Sequence, residues 1–150
     1  MTCEEARSEA VRDWWHKALS ALREAEDAAR LEHAENAVGR SYYAAFYAAK
    51  ALLATRGIDA KKHSGVLSLI GEHFVRPGLL PAERGRAIHD LMRARLMADY
   101  DPKASFAPGA VRGYLEKARH FVSVAGSLLR REGWLGERSE GPDPSESQSC

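Results

Sequence analysis

Ser41-Tyr42-Tyr43-Ala44-Ala45-Phe46-Tyr47-Ala48-Ala49 is apolar or aromatic in every direction around a helix axis. A helix with no polar face has to be covered on most sides, so this stretch predicts the central helix of an all-helical protein. The helix is predicted over about Glu35 to Arg56, with Gly57 as a left-handed stop and Ile58 just beyond it. Its alanines let neighbouring helices approach closely.

Working outward, the first helix opens on Thr2 and Glu5, a capping-box spacing that satisfies free backbone N–H groups. Its stripe reads Val11, Trp15, Ala18, Leu22, Ala25, Ala29, and it runs to about Arg30. A short third helix covers about Ser64 to Val75, with Val66, Leu67, Ile70 and Phe74 inward. Pro81 suits the first turn of a fourth helix that lasts to about Ala98. Pro108 opens the fifth, whose stripe is Val111, Tyr114, Leu115, Ala118, Phe121, Val122, Ala125, Leu128 and Leu129, with Gly133 ending it. No stretch alternates with period two, so no strand is expected. The fold class is all-α: a five-helix up-and-down bundle with one short inserted helix. The helical domain is expected over residues 1–134. The composition shift to Gly, Ser, Glu, Asp, Pro and Gln marks 135–150 as a disordered tail.

A chain of 150 residues with 45% apolar content suits one domain with a core. Its 22 Lys+Arg balance 21 Asp+Glu, which argues against a broad duplex-coating surface and leaves room for a small local basic site. No apolar run approaches the roughly 20 residues of a membrane span. The acidic start Met1-Thr2-Cys3-Glu4-Glu5 does not read as a secretory signal. Two cysteines, Cys3 and Cys150, suggest no disulfide framework, and the expected location is a reducing cytoplasm.

The fourth helix holds the main anomaly. Its inward stripe starts as Ile88, Leu91, Met92 and continues onto Arg95 and Asp99, four apart and therefore facing each other. Charges on a core-directed stripe are either paired or functional. The structural alternative is an intrahelical ion pair, with the stripe rotating to use Leu96. On the second helix Arg40, Tyr43, Tyr47 and Lys50 form a polar line. Such a line can hold a phosphate or a base, or merely snorkel at a helix seam. His63, beside Lys61 and Lys62, stands where a helix N-terminus attracts anions, or else packs locally. Asp13-x-x-His16 is a single short-acid approximation to a di-iron motif, so no metal or other cofactor is expected. Arg84 and His89 also satisfy Arg-x4-His but lie half a helix early.

Gly39-Arg40-Ser41-Tyr42-Tyr43-Ala44-Ala45-Phe46-Tyr47-Ala48-Ala49-Lys50-Ala51-Leu52-Leu53 resembles the second helix of HEPN-domain proteins (higher eukaryotes and prokaryotes nucleotide-binding). Lys62-His63-Ser64-Gly65-Val66 with Gly71-Glu72-His73-Phe74-Val75, and Arg95-Leu96-Met97-Ala98-Asp99-Tyr100-Asp101, are similar to later segments of one prokaryotic branch in matching order. The resemblance implies a five-helix bundle that forms a homodimer with a polar cleft near the seam. It also implies an RNase cutting without metal, and a minimal nucleotidyltransferase partner, in some systems one that attaches AMP to a tyrosine after the helix-four motif. Arg95 matches the family's arginine, while Asp99 stands where its catalytic histidine would be. An aspartate beside a guanidinium is a poorer general acid than an imidazole.

On that resemblance Arg95 and Asp99 are the candidate catalytic pair, and Arg40, Tyr43, His63 and Tyr100 the candidate nucleotide- or RNA-binding residues. Tyr100 doubles as the candidate for modification. Three functions stay open: a toxin-type component of a two-gene system, a non-catalytic nucleotide-binding helper of a transferase, and a structural helical dimer.

Overall fold

A computed structural model of the protein describes residues 1–136. Five α-helices follow in order: α1 (Cys3–Arg30), α2 (Ala34–Ala54), α3 (His63–Ile70), α4 (Ala82–Tyr100) and α5 (Pro108–Arg131). No strand occurs among the described residues. The expected tail falls almost wholly outside them.

The helix α2 is the axis of the bundle and packs against each of the other four. Ala37, Val38, Tyr42, Ala44, Ala45, Ala48, Ala49, Ala51 and Leu53 on it have no accessible surface. Six of these nine are alanines, so the backbones come close and the covering helices meet one another around it. The ends are built from local chemistry. Thr2 Oγ1 accepts from the Glu5 N–H at 3.0 Å while the Thr2 N–H donates to Glu5 at 3.1 Å, the reciprocal box read from the sequence. At the far end of α2 the Ile58 N–H reaches Leu53 O and the Gly57 N–H reaches Ala54 O. Gly57 has φ +71°, the left-handed geometry that such a stop needs.

Three details depart from the sequence reading. The stripe of α1 turns by one residue in two places: Ala21 and Ala28 are buried where Leu22 and Ala29 were expected. Against an alanine-rich partner, the small side chain fits the seam and the leucine lies at its edge. The third helix does not continue as α-helix to Val75; Gly71–Val75 forms a π-helical turn. Phe74 within it is fully buried. Finally, α4 continues two residues past Ala98 to Tyr100, so Asp99 and Tyr100 lie on its last turn.

Ion pairs also link the helices. Arg119 joins Glu26 of α1 at 2.8 Å, and Arg56 joins Glu132 at 2.6 and 3.2 Å. At partly exposed positions each contributes about 0–1 kcal/mol, against about 1.5–3 kcal/mol for burying one large apolar side chain. Packing decides this fold. At one crossing it leaves no slack: a Cβ built on Gly126 of α5 would stand 2.7 Å from the ring of Trp15, itself a buried residue.

Gly126→Ala is therefore expected to destabilise the protein by about 1–3 kcal/mol through overpacking. Urea denaturation would show it as a lower midpoint at unchanged slope.

Candidate functional site

The side chains of α2, the start of α3 and the end of α4 meet over an aromatic floor. Tyr42 is fully buried, and its hydroxyl lies 2.8 Å from His63 Nδ1. The imidazole stacks on Phe46 with centroids 4.2 Å apart and planes 14° apart, and meets Tyr43 edge-on at 5.9 Å. Burial pushes the Tyr42 phenol well above its ordinary value, Arg95 pulling modestly the other way. The same causes act on His63 with one sign. Burial first, then the charges of Arg95 and Lys50, lower its basicity.

Arg95 reaches this floor from α4. Its guanidinium carbon stands 5.3 Å from the Tyr43 ring centroid and 5.8 Å from that of Tyr42. Its Nε lies 3.0 Å from Asp99 Oδ2, but the N–H is not aligned for a hydrogen bond. The Arg95 side chain is 17% exposed and that of Asp99 44%. Two cation–π contacts at about 0.5–2 kcal/mol each outweigh a half-exposed ion pair at about 0–1. The rings therefore hold the arginine, and the acid sits at its outer edge. The intrahelical ion pair of the structural alternative does form, while the stripe does not rotate to bury Leu96, which is 37% exposed.

Arg40 enters from the opposite end of the same face. Its guanidinium carbon is 5.4 Å from the Tyr43 centroid, and its Nε lies 3.2 Å from Glu24 Oε2. Tyr43 is thus flanked by two arginines. Tyr100 does not join them closely: it stands 74% exposed on the last turn of α4. The structure brings Arg40, Tyr43, His63, Arg95 and Asp99 into one neighbourhood and leaves Tyr100 at its margin.

Two contributors were missed by spacing. Tyr42 and Phe46 read simply as core, yet they are the residues that seat His63. Lys50, one turn further along α2, is buried. It donates to Asp59 Oδ1 at 2.9 Å and to Ala60 O at 2.6 Å, and lies 4.6 Å from the Trp14 ring centroid. The hydrogen bond from Lys50 holds the Asp59 carboxyl below its ordinary range. A buried lysine aimed at a loop carbonyl is a tether, and this one fixes the loop that leads into His63. The sequence places Lys50 on the polar line of α2 with Arg40, Tyr43 and Tyr47, but carries no sign of its partners Asp59 and Ala60 in the loop.

Arg84 and His89 line a different hollow of about 590 Å³ between α4 and α5, with Asp90, Arg93, Glu116, Lys117 and His120. Both signs of charge line it. No group of three or more His, Cys, Asp or Glu able to hold a metal occurs among the described residues. No helix among them is long and apolar enough to cross a membrane.

The model of the HEPN domain matches residues 11–132. A UPF0332 protein of Thermotoga maritima is 32% identical over 116 residues, covering 77% of this chain and 88% of that protein. A protein named "putative toxin" from Methanocaldococcus jannaschii is 35% identical over 113 residues, 75% of this chain and 77% of its own. A UPF0332 protein of Gloeobacter violaceus is 46% identical over 63 residues, 42% of this chain and 50% of that one.

The depressed basicity of His63 has a thermodynamic sign. The unfolded chain takes up the proton near the ordinary value of 6.5, while the folded site resists it. This contribution to stability is fully present above pH 6.5 and is lost as the pH falls toward the lower folded value. Stability measured by denaturant titration should drop across that interval, and His63→Gln should flatten the slope there.

Proposed function

The chain belongs to the HEPN domain family, and from that premise we propose that it is the toxin-type component of a two-gene toxin–antitoxin or minimal nucleotidyltransferase system. It acts as a cytoplasmic homodimer with a nucleotide- or RNA-facing cleft. The observation that carries this reading is the convergence of Arg40, Tyr43, His63 and Arg95 on one aromatic floor. Guanidinium groups recognise phosphate oxygens, and ring faces stack on bases whatever their identity. Two relatives from Methanocaldococcus jannaschii carry the name "putative toxin", which favours this assignment over a structural role.

The dimer is supported by the surface next to the site. Leu96, Met97 and Tyr100 are exposed on the last turns of α4, 37%, 50% and 74% respectively. A second copy covering them would bring two clefts together. The modified residue of such a system would be Tyr100, whose exposure leaves its hydroxyl open to a transferase.

For cleavage without metal, Arg95, held by the Tyr42 and Tyr43 rings, neutralises charge developing on the phosphorane, with Asp99 at its outer edge. The second reading, a cleft that binds without cutting, is favoured by one feature. Position 99, one turn along α4 from Arg95, carries a carboxylate and not an imidazole.

Incubation of the purified protein with single-stranded RNA in chelator decides between them. Cleavage to 2′,3′-cyclic phosphate ends, reduced about 100-fold or more in Arg95→Ala, supports the RNase. Binding without cleavage supports the helper, and neither binding nor cleavage removes both. Separately, mass spectrometry after co-expression with a partner nucleotidyltransferase should show added AMP on the wild type and none on Tyr100→Phe.

A further inference from the structure

The Tyr42 hydroxyl is a fully buried polar group of the site. Among the described residues its hydrogen-bond partner is His63 Nδ1. A buried hydroxyl left without an acceptor for its proton costs about 1–3 kcal/mol. The phenol therefore donates and Nδ1 accepts. A neutral imidazole with Nδ1 as acceptor must carry its proton on Nε2. Nδ1 is taken by the buried phenol and His63 is only partly buried, which leaves Nε2 as the ring nitrogen available to a ligand.

We propose that Tyr42 locks His63 as the Nε2–H tautomer, so that Nε2 of the imidazole is a hydrogen-bond donor. With the Arg95 guanidinium it forms a phosphate-recognising pair and does not serve as a general base. This inference rests on the cleft assigned above and specifies its chemistry: the ligand group is the phosphate of a nucleotide or RNA strand. Tyr42 is a positioning residue in it, acting through His63.

The titratable and charged groups around the imidazole all fit this assignment. Tyr42, Tyr43 and Lys50 face it from α2, Arg95 with Asp99 from α4, and Lys61 and Lys62 precede it in the chain. Burial first, then the charges of Arg95 and Lys50, disfavour the imidazolium and keep the donor neutral at physiological pH, while the nearby carboxylates Asp59 and Asp99 lie against Lys50 and Arg95. A neutral N–H beside a fixed guanidinium binds an anion without changing its own charge.

Long-range proton–nitrogen NMR correlation on the full-length, nitrogen-15-labelled protein at neutral pH reads the tautomer directly. The expected result is proton on Nε2 in the wild type and a mixture of tautomers in Tyr42→Phe. Inorganic phosphate, followed by backbone amide shifts, tests the donor. His63→Gln places an amide N–H near the position of Nε2 and should bind phosphate within about twofold of wild type, whereas His63→Asn should weaken it about five- to tenfold. Should Tyr42→Phe fail to fold, the wild-type tautomer and the glutamine–asparagine comparison still decide. An Nδ1–H tautomer or an imidazolium in the wild type overturns the proposal, as does equal phosphate affinity in all three forms. A chain with proton on Nε2 that binds phosphate but no RNA or nucleotide sinks the cleft reading alone. An Nδ1–H chain that cuts RNA sinks only this inference.

Discussion

An apolar or aromatic stretch such as Ser41 to Ala49 cannot stand at a surface, and α2 satisfies that constraint by being enclosed on most sides. The covering helices are held by the alanines that let them approach, which is why one added methyl at a crossing such as Gly126 and Trp15 meets a ring at 2.7 Å. The enclosure also explains the site. Where α2 carries Tyr42, Tyr43 and Phe46 in place of alanine, the neighbours cannot close as tightly. The space is filled by His63 from α3 and Arg95 from α4. Fold and functional face are two consequences of the same helix.

Arg95 illustrates how the two are balanced. A guanidinium directed inward needs compensation, and ring faces provide it without fixing all of its N–H groups. Asp99 sits at the rim of that arrangement, half exposed, with an ion-pair distance but no aligned hydrogen bond. The cation therefore keeps donor capacity that its own helix does not use. An arginine fully engaged by carboxylates would have none left.

Much of this was legible from the chain itself. The five helices follow from apolar periodicity and from Pro and Gly at their ends. The inward direction of Arg95 follows from continuing the stripe of Ile88 and Leu91. Resemblance in three segments supplied the family. Other features were not readable, for definite reasons. Choosing between Ala21 and Leu22 on α1 depends on the width of the seam it faces, which no local pattern encodes. The π turn at Gly71–Val75 changes the period for a single turn, too briefly to register. The bond between Tyr42 and His63 spans 21 positions, so neither residue announces the other. Tyr100 was placed with the cluster by adjacency to Asp99, yet one step along a helix is a rotation of about 100°, enough to turn it outward.

The buried amine of Lys50 has a further implication. Together, the amine and the phenol eight positions earlier pin the segment from Asp59 to His63 onto the central helix at two points. The floor beneath the candidate site is thus assembled from the central helix and the strap that crosses it, and Asp99 on α4 has no share in fastening that strap.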